Sequence, residues 1–364
     1  MAEGHQPDLL LGALEERNAV KNQSGKRLFI TYPTFAFFDA LPPVPSSPLS
    51  IWRFVLWFEG RCCAMFSIKN VLQCLLWNLR MLRRNPRLIM GLFMGFLICF
   101  LLTEKTISLT NEFPTDIQVF EPFIWCFADS DSILFASLAL ILLLSQFPRL
   151  DTPAAYLVFR TNRLNWLLGQ VLTAFVISIG YTLFLLISTV ILTSGNAYFE
   201  NRWSDTATLL SFSPASFEVA LIVVRKTIKL TTPWSATIHI FFLIAQYTLL
   251  LTTLNLAVSL RYGKKAGMFA IIFMSLLAYL LTPDRFMNWL QLSENIRYYA
   301  NVLAAWLSPL QQSTFIMHNF GYDQLPTITQ SHLIFGSINT ALTAVSFYSV
   351  QKVQFSFTGG SPNG

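Results

Sequence analysis

The sequence predicts an all-α membrane protein with six transmembrane helices, an N-terminal amphipathic interfacial helix and a re-entrant segment before the last span. Two observations predict this class. Hydrophobic residues make up 54% of the 364 residues and charged residues only 12%, whereas soluble domains carry about 25% charged residues. The apolar residues also form continuous blocks. Because backbone groups in hydrocarbon must bond within their own segment, each block is expected to be a helix.

The charge balance excludes several function classes. Too few charged side chains are present to coat a soluble globule, so a soluble enzyme, a disordered chain and a nucleic-acid-binding domain are all poor interpretations. The chain has 25 Lys and Arg against 19 Asp and Glu. This excess needs no nucleic-acid partner, because Lys and Arg hold the cytoplasmic loops of a membrane protein inside.

Residues 1–66 are predicted to be a cytoplasmic leader. The first 50 or so are polar, carry no apolar signal-peptide core, and include a proline-rich linker at 42–48, whereas the residues from Ile51 are rich in Trp, Leu and Phe with interspersed charges. An amphipathic helix should follow, lying in the membrane interface. The alternative is a helix packed against the protein's own flank. The apolar residues of this helix recur at helical spacing, at Val71, Leu72, Leu75, Leu76, Leu79 and Leu82.

A transmembrane domain is predicted over residues 67–351, followed by a cytoplasmic tail at 352–364. A spanning helix needs about 17–25 residues. The first, second and fifth apolar blocks are shorter than most spans, so their helices are expected to extend into the flanking residues. The six blocks cover residues 88–102, 132–147, 164–193, 235–260, 266–281 and 332–350.

The distribution of charge predicts that both termini are cytoplasmic. Basic residues are concentrated in the short segments 67–87, 149–163 and 261–265, with a further Lys in the tail, as the positive-inside rule requires. The longer segments then lie outside. In the last of these, residues 298–307 and 309–317 are apolar but too short to span, so they are expected to dip back into the membrane as a re-entrant pair.

Few residues inside the spans suggest chemistry. Gln246, Asn255 and Asn339 either bond neighbouring helices or line a substrate path, and the sequence does not separate these roles. Gly91 and Gly95 form a small-residue face that lets two helices approach closely. No phosphate-binding loop, zinc motif or nucleophile elbow occurs in the sequence. The chain is therefore not expected to be an enzyme.

One cytoplasmic segment is typical of a docking helix. Thr152 can cap a helix and Pro153 suits its first turn, so a short helix is expected from Ala154 to about Arg160, ending at Asn162. It presents aromatic and Arg side chains, which are enriched at protein interfaces. The alternative is a helix that only orders a loop. The residues expected to dock a soluble partner are Thr152, Pro153, Tyr156, Phe159, Arg160 and Arg163.

Over about residues 67–351 this layout resembles the membrane subunit of ABC exporters of the ABC-2 permease type. The shared features are the amphipathic helix before the first span, six spans, the docking helix between spans two and three, and a Pro-Leu turn in segment 307–313. The resemblance implies a translocation path driven by a separate ATPase subunit. ATP and Mg²⁺ would bind that subunit, and this chain would carry no cofactor. It also implies a second permease subunit, identical or different, and the cytoplasmic (inner) membrane.

Two alternatives remain open at this point. Asp129 and Asp131 flank one residue, a spacing that suits a divalent cation bridging a diphosphate in a polytopic glycosyltransferase. The structural explanation is that Asp129 or Ser130 caps the second span. The other alternative is an ion-coupled transporter, which would require a charged residue deep in a span. The six apolar blocks contain no Asp, Glu, Lys or Arg in their cores.

Overall fold

The computed structural model describes residues 66–112, 116–212, 225–291, 297–321 and 323–353. Most of the predicted leader and the tail from 354 lie outside the described residues. So do residues 217–224, an apolar piece of the long segment between the third and fourth predicted spans. The described residues belong to one compact unit, Cys62–Gly364.

The described part of the chain is helical apart from loops and one pair of two-residue parallel strands. The N-terminal half contains α1 (Ile68–Arg83), α2 (Pro86–Glu112), β1 (Ile117–Gln118), α3 (Glu121–Cys126), α4 (Ser130–Leu144), α5 (Thr152–Thr161) and α6 (Arg163–Thr193). The C-terminal half contains β2 (Ala197–Tyr198), α7 (Asp205–Phe212), α8 (Arg225–Leu230), α9 (Pro233–Tyr262), α10 (Lys264–Leu280), α11 (Pro283–Leu290), α12 (Arg297–Leu307), α13 (Pro309–Ser313) and α14 (Ile328–Lys352). Two short 3₁₀ turns, Ser194–Asn196 and Phe315–Met317, complete the described elements.

Four of the described helices are long and apolar enough to cross a membrane: α2, α6, α9 and α14. A fifth crossing is possible where α10 continues into α11, although the chain bends by 72° between them. The protein is therefore a membrane-embedded, multi-pass helical protein.

The second predicted span is shorter than expected. Helix α4 has 15 residues and ends at Leu144, so it covers only about 22 Å at 1.5 Å per residue. The expected extension into the flanking residues is present at the N-terminal side, where α4 begins at Ser130, two residues before the block. It is absent at the C-terminal side, where α4 stops before Phe147-Pro148, inside the block. It is buried on most sides, and the wholly buried helix α3 precedes it. This packing explains how so short an apolar helix is sheltered.

Contacts between helix ends show that the bundle helices alternate in direction. The start of α2 meets the end of α4, where Arg87 Nη1 donates to Ser145 Oγ at 3.2 Å. The end of α9 is close by, since Asn255 Nδ2 donates to the carbonyl of Phe147 at 2.6 Å. We call this end the basic end. Its basic residues are Arg80, Arg83, Arg84, Arg87, Arg149, Arg160, Arg163, Arg261, Lys264, Lys265 and Lys352.

The opposite end carries the long connections, and we call it the loop end. Here β1 and β2 pair in parallel, which joins the segment after α2 to the segment after α6. Gln311 Nε2 of α13 donates to Ser130 Oγ at the start of α4, 3.3 Å away. The two pieces predicted to be re-entrant are both helical. The first forms α12, and the second forms α13 and the short 3₁₀ turn that follows it.

Helix α1 packs against the protein's own flank. Val71, Cys74 and Asn78 are its buried residues, and α6 supplies Gly169 opposite Cys74. A Cβ at Gly169 would lie 2.5 Å from the Cβ of Cys74, so the close approach of the two helices requires glycine there. The other face of α1 remains exposed and includes Ile68 and Leu72.

Candidate functional site

The docking segment forms a helix in the predicted place. Helix α5 runs over Thr152–Thr161 at the basic end. Two of its aromatic side chains point away from the protein: Tyr156 is 59% exposed and Phe159 is 83% exposed. Arg160 beside them is also exposed. Exposed aromatic and Arg side chains on one short helix form a surface that a partner could bury. We call Tyr156, Phe159 and Arg160 the α5 face.

The opposite side of α5 fixes it to the bundle. Ala154, Ala155 and Val158 are buried, and these small or medium side chains let the helix lie close to its neighbours. The Thr161 hydroxyl donates to the carbonyl of Leu157 at 2.7 Å. The Cys74 thiol of α1 is 3.6 Å from the same hydroxyl. Helix α5 is therefore held on one side and open on the other.

The start of α5 differs from the sequence expectation. The N-cap residue is Asp151 rather than Thr152, and Pro153 occupies the first turn. The carbonyl of Asp151 accepts from the backbone of Ala154 at 2.8 Å, and its carboxylate pairs with Lys264 of α10. Asp151 is thus used both to begin α5 and to attach it to α10.

The end of α5 is as predicted. Asn162 stops the helix with φ of +73°, in the left-handed region that Asn tolerates better than most residues. Arg163 then begins α6 and donates to the carbonyl of Val350 at 3.2 Å and to that of Gln351. The guanidinium therefore meets the C-terminal carbonyls of α14, where a positive charge is favourable. Arg163 therefore joins α6 to α14.

Two of the three polar residues predicted inside the spans are buried where they bond neighbouring segments. Asn255 is fully buried, donates to Phe147 and accepts from Ser259 Oγ at 3.1 Å. Asn339 of α14 accepts from Thr253 Oγ1 of α9 at 2.7 Å. Such bonds satisfy polar groups that would otherwise be costly in hydrocarbon.

Gln246 also bonds a neighbouring helix but is less buried. Its Oε1 is 2.8 Å from His332 Nδ1 of α14, and its side chain is half-buried. The structure does not bring Gln246, Asn255 and Asn339 together at one site. Their partners place them at three separate contacts along the bundle.

Gly91 and Gly95 lie at contacts within this chain. A Cβ at Gly91 would be 3.0 Å from the Cβ of Leu143 in α4. A Cβ at Gly95 would be 3.2 Å from the Tyr181 hydroxyl in α6. The small-residue face of α2 thus lets α4 and α6 approach it, which is the helix-packing role that the sequence predicted.

The Asp129-Ser130-Asp131 segment has the structural role predicted as its alternative. Asp129 is the N-cap of α4, and its Oδ1 accepts from the backbone N–H of Ser132 at 3.1 Å. Asp131 lies in the first turn, where an acid is favoured. Among the residues that the structure describes, no group of three or more His, Cys, Asp or Glu is placed to hold a metal ion.

Sequence reasoning missed a buried carboxylate at the loop end. Glu121 of α3 has no exposed surface. Its two oxygens accept from the backbone N–H and from the hydroxyl of Ser204, both at 2.7 Å. Burial raises the pKa of Glu121 to about 7, although these hydrogen bonds act in the opposite direction. The two residues are 83 positions apart, so no local pattern could have paired them.

A buried histidine at the loop end was also missed. His318 has no exposed surface, its Nδ1 lies 3.1 Å from the carbonyl of Thr314, and its Nε2 lies 3.0 Å from Ser331 Oγ of α14. Burial lowers the pKa of His318 to about 4, so the ring is neutral at pH 7. It fixes the segment after α13 to the start of α14.

Comparison with known proteins adds no family to this description. No family model, no curated protein and no solved structure matches the chain.

Proposed function

We propose that this chain is the membrane-spanning permease subunit of an ABC exporter. The observation that carries the proposal is the α5 face: Tyr156 and Phe159 are exposed on a short helix whose other side is buried in the bundle. An ATPase on a separate subunit would bind this face. ATP and Mg²⁺ would bind that subunit, and this chain would not hydrolyse ATP.

The connections of α5 support a role in transmitting movement. One residue, Asn162, joins α5 to α6, and the Asp151–Lys264 pair joins it to α10. Helix α6 in turn packs against α9 and α14. A displacement of α5 would therefore reach the long helices without a flexible linker between them. In an alternating-access cycle, ATP-driven closure of the partner would rock this bundle against that of a second permease subunit.

We further infer six spans with both termini in the cytoplasm of the inner membrane. The alternating helix ends and the concentration of Arg and Lys at one end support this arrangement, which places the basic end inside. The short helix α4 would count as the second span and α10 as the fifth, each with its adjoining residues. The exposed Ile68 and Leu72 of α1, together with the basic residues Arg80 and Arg83 in its last turn, support an interfacial position for that helix.

Among the polar residues, Gln246 suits a path-lining role best, since it is half-buried while Asn255 and Asn339 are buried at helix contacts. The glycosyltransferase alternative receives less support, because Asp129 already accepts the capping bond of α4. The ion-coupled alternative also receives less support, because the cores of the apolar blocks contain no charged residue.

The test replaces both exposed aromatic residues of the α5 face with alanine, Tyr156→Ala and Phe159→Ala. The full-length tagged chain is purified from native membranes, and the copurifying Mg²⁺-dependent ATPase activity is measured. Aromatic anchors typically cost about 2 kcal/mol or more when truncated, or about thirtyfold in affinity. We expect wild-type chain to retain an ATPase subunit and the double variant to lose most of it.

Phe269→Ala provides the matched control. Phe269 is an exposed aromatic residue in α10, outside the α5 face, so its loss should leave the copurifying activity unchanged. Expression and membrane insertion should be the same in all three proteins, because none of the changes removes a buried contact. An ATPase retained equally by the double variant would contradict the proposal. Hydrolysis by the isolated chain would contradict the division between two subunits.

A further inference from the structure

An apolar cavity of about 340 Å³ lies at the loop end, between α6, α9 and the segments that carry β1 and β2. Its walls include Phe120, Leu186, Phe199, Trp234, Ile238 and Phe242. Thr237 also lines it, but its hydroxyl donates to the carbonyl of Pro233 at 2.8 Å. The cavity therefore has aromatic and aliphatic walls and offers no polar atom to a ligand.

The cavity follows one stripe of α9 into the membrane. Its lining residues on that helix are Trp234, Thr237, Ile238, Phe241 and Phe242, a spacing of one helical face. The eight steps from Trp234 to Phe242, at 1.5 Å each, give a depth of about 12 Å. One leaflet of the hydrocarbon layer is about 15 Å thick. Trp234 is at the start of α9, where an aromatic ring is typical of the membrane–water interface. The cavity therefore matches one leaflet in depth.

The outer wall of the cavity is built on fixed backbone. Phe199 directly follows β2, which pairs with β1. Its ring lies 6.0 Å from that of Phe120 and 5.4 Å from that of Trp234. The backbone N–H of Trp234 donates to Asn201 Oδ1 at 3.3 Å. Phe199, Ile238 and Phe242 are at the same time partly exposed, so the cavity opens sideways, toward the bilayer.

We propose that this cavity binds one acyl chain of a membrane lipid from the leaflet at the loop end. A polar ligand would find no group to orient it, whereas a chain that enters from the side along α9 meets rings over its length. The hydrophobic effect does not favour the site over the surrounding lipid, because both are apolar. The preference comes from packing against rigid aromatic walls. The proposal depends on membrane embedding alone and is independent of any ATPase partner.

The test uses a phospholipid with a photoreactive diazirine in one acyl chain, mixed into vesicles that contain the full-length chain. After irradiation, labelled peptides are mapped by mass spectrometry. We expect peptides containing Phe199 and residues 234–242 to be labelled at least about fivefold more than the exposed apolar face of α2. That ratio corresponds to a preference of about 1 kcal/mol.

Two variants fill the cavity from opposite walls, Ile238→Trp from α9 and Leu186→Trp from α6. Each should remove most of the excess labelling, and either one suffices if the other fails to fold. Leu101→Trp, on the exposed face of α2, is the control and should change nothing at the cavity. Labelling in proportion to exposed area, or excess labelling that survives both fillings, would overturn the proposal.

Discussion

The two ends of the bundle are built differently. At the basic end the connections are short: one residue, Asn162, joins α5 to α6, and one residue, Gly263, joins α9 to α10. Gly263 has φ of +89°, a conformation that glycine adopts without strain. At the loop end the chain takes 39 residues, 194–232, to pass from α6 to α9. Short connections leave little freedom at the basic end, so movement there must involve whole helices.

Side chains donate to backbone carbonyls at both ends, but the loop end has in addition a bond to a buried carboxylate. At the basic end, neutral or permanently charged side chains donate to backbone carbonyls, as Asn255 does to Phe147 and Arg149 does to Met81. At the loop end, a buried carboxylate, Glu121, accepts from Ser204. Because Arg and Asn do not titrate near pH 7 while Glu121 does, only the loop end should respond to pH in that range.

The largest effect is expected from Gly267→Ala in α10. A Cβ at this position would lie 3.0 Å from the backbone carbonyl of Asn255 and would also collide with Ser259 Oγ. Overpacking costs about 1–3 kcal/mol, and displacing Asn255 from the Phe147 carbonyl adds about 1 kcal/mol or more. We expect a loss of about 4 kcal/mol, measured by thermal unfolding in detergent.

Gly336→Ala in α14 is the matched control for this substitution. No atom lies within 4 Å of a Cβ placed at Gly336, and alanine is the better helix former by about 1 kcal/mol. Its unfolding temperature should therefore be equal to or above that of wild type. Equal destabilisation by both substitutions would show that the close contact at Gly267 does not decide the stability of the basic end.

The second prediction concerns pH and the loop end. The pKa of Glu121 is raised from 4.5 to about 7, so the folded protein binds a proton that the unfolded chain has released at intermediate pH. The stabilising contribution is complete below pH 4.5 and is lost as the pH rises to about 7. The shift corresponds to about 3 kcal/mol. Unfolding temperatures measured between pH 4.5 and 8 should fall over this range.

Glu121→Gln should remove most of this dependence. The amide keeps an oxygen for the Ser204 backbone N–H and cannot ionise. The variant should be at least as stable as wild type at pH 8, with a flatter profile. A wild-type profile that is already flat would contradict the assignment of a buried titrating carboxylate to the loop end.

Much of the helical framework was predictable because it depends on local pattern. The apolar blocks predicted the long helices. Pro153 and Asn162 predicted the two ends of α5, and Asp129 was recognisable as a cap for α4. The failures were tertiary in origin. Helix α4 is sheltered despite its short length because neighbouring helices bury it, and its apolar composition alone could not show this. The cap of α5 is Asp151, whose partner Lys264 is 113 residues away.

The polar residues show the same limit. From sequence, Asn255 and Asn339 were equally compatible with a substrate path and with helix contacts. Their bonds to Phe147 and Thr253 join segments separated by 108 and 86 positions. No sequence pattern identified Glu121, because a single acidic residue outside the apolar blocks forms no motif with its neighbours. Its burial depends on α2, α6 and α9 packing against α3 and on Ser204 reaching its carboxylate, which no local pattern encodes.

The third prediction separates local from global stability at the basic end. Asn78 of α1 donates to Thr173 Oγ1 at 2.9 Å and accepts from Gln170 Nε2 at 3.3 Å, both in α6. Asn78→Ala should cost about 1–2 kcal/mol. Hydrogen exchange should rise mainly in α1, with little change in α9. An equal rise in both helices would show that α1 is not a separately opening unit.

The smallest effect is expected from the exposed ion pair between Arg297 Nη2 of α12 and Asp284 Oδ1 of α11, 2.7 Å apart. The two side chains are 55% and 71% exposed, so water and salt screen their attraction, and such pairs contribute about 0–1 kcal/mol. Asp284→Asn should therefore lower the unfolding temperature only slightly, and the difference from wild type should vanish in 1 M NaCl, where the screening length is about 3 Å. The loop end would then owe its stability to buried contacts such as Glu121–Ser204. A large loss that persists at high salt would instead make the α11–α12 pair a structural support of that end, equivalent to the buried polar contacts of the basic end.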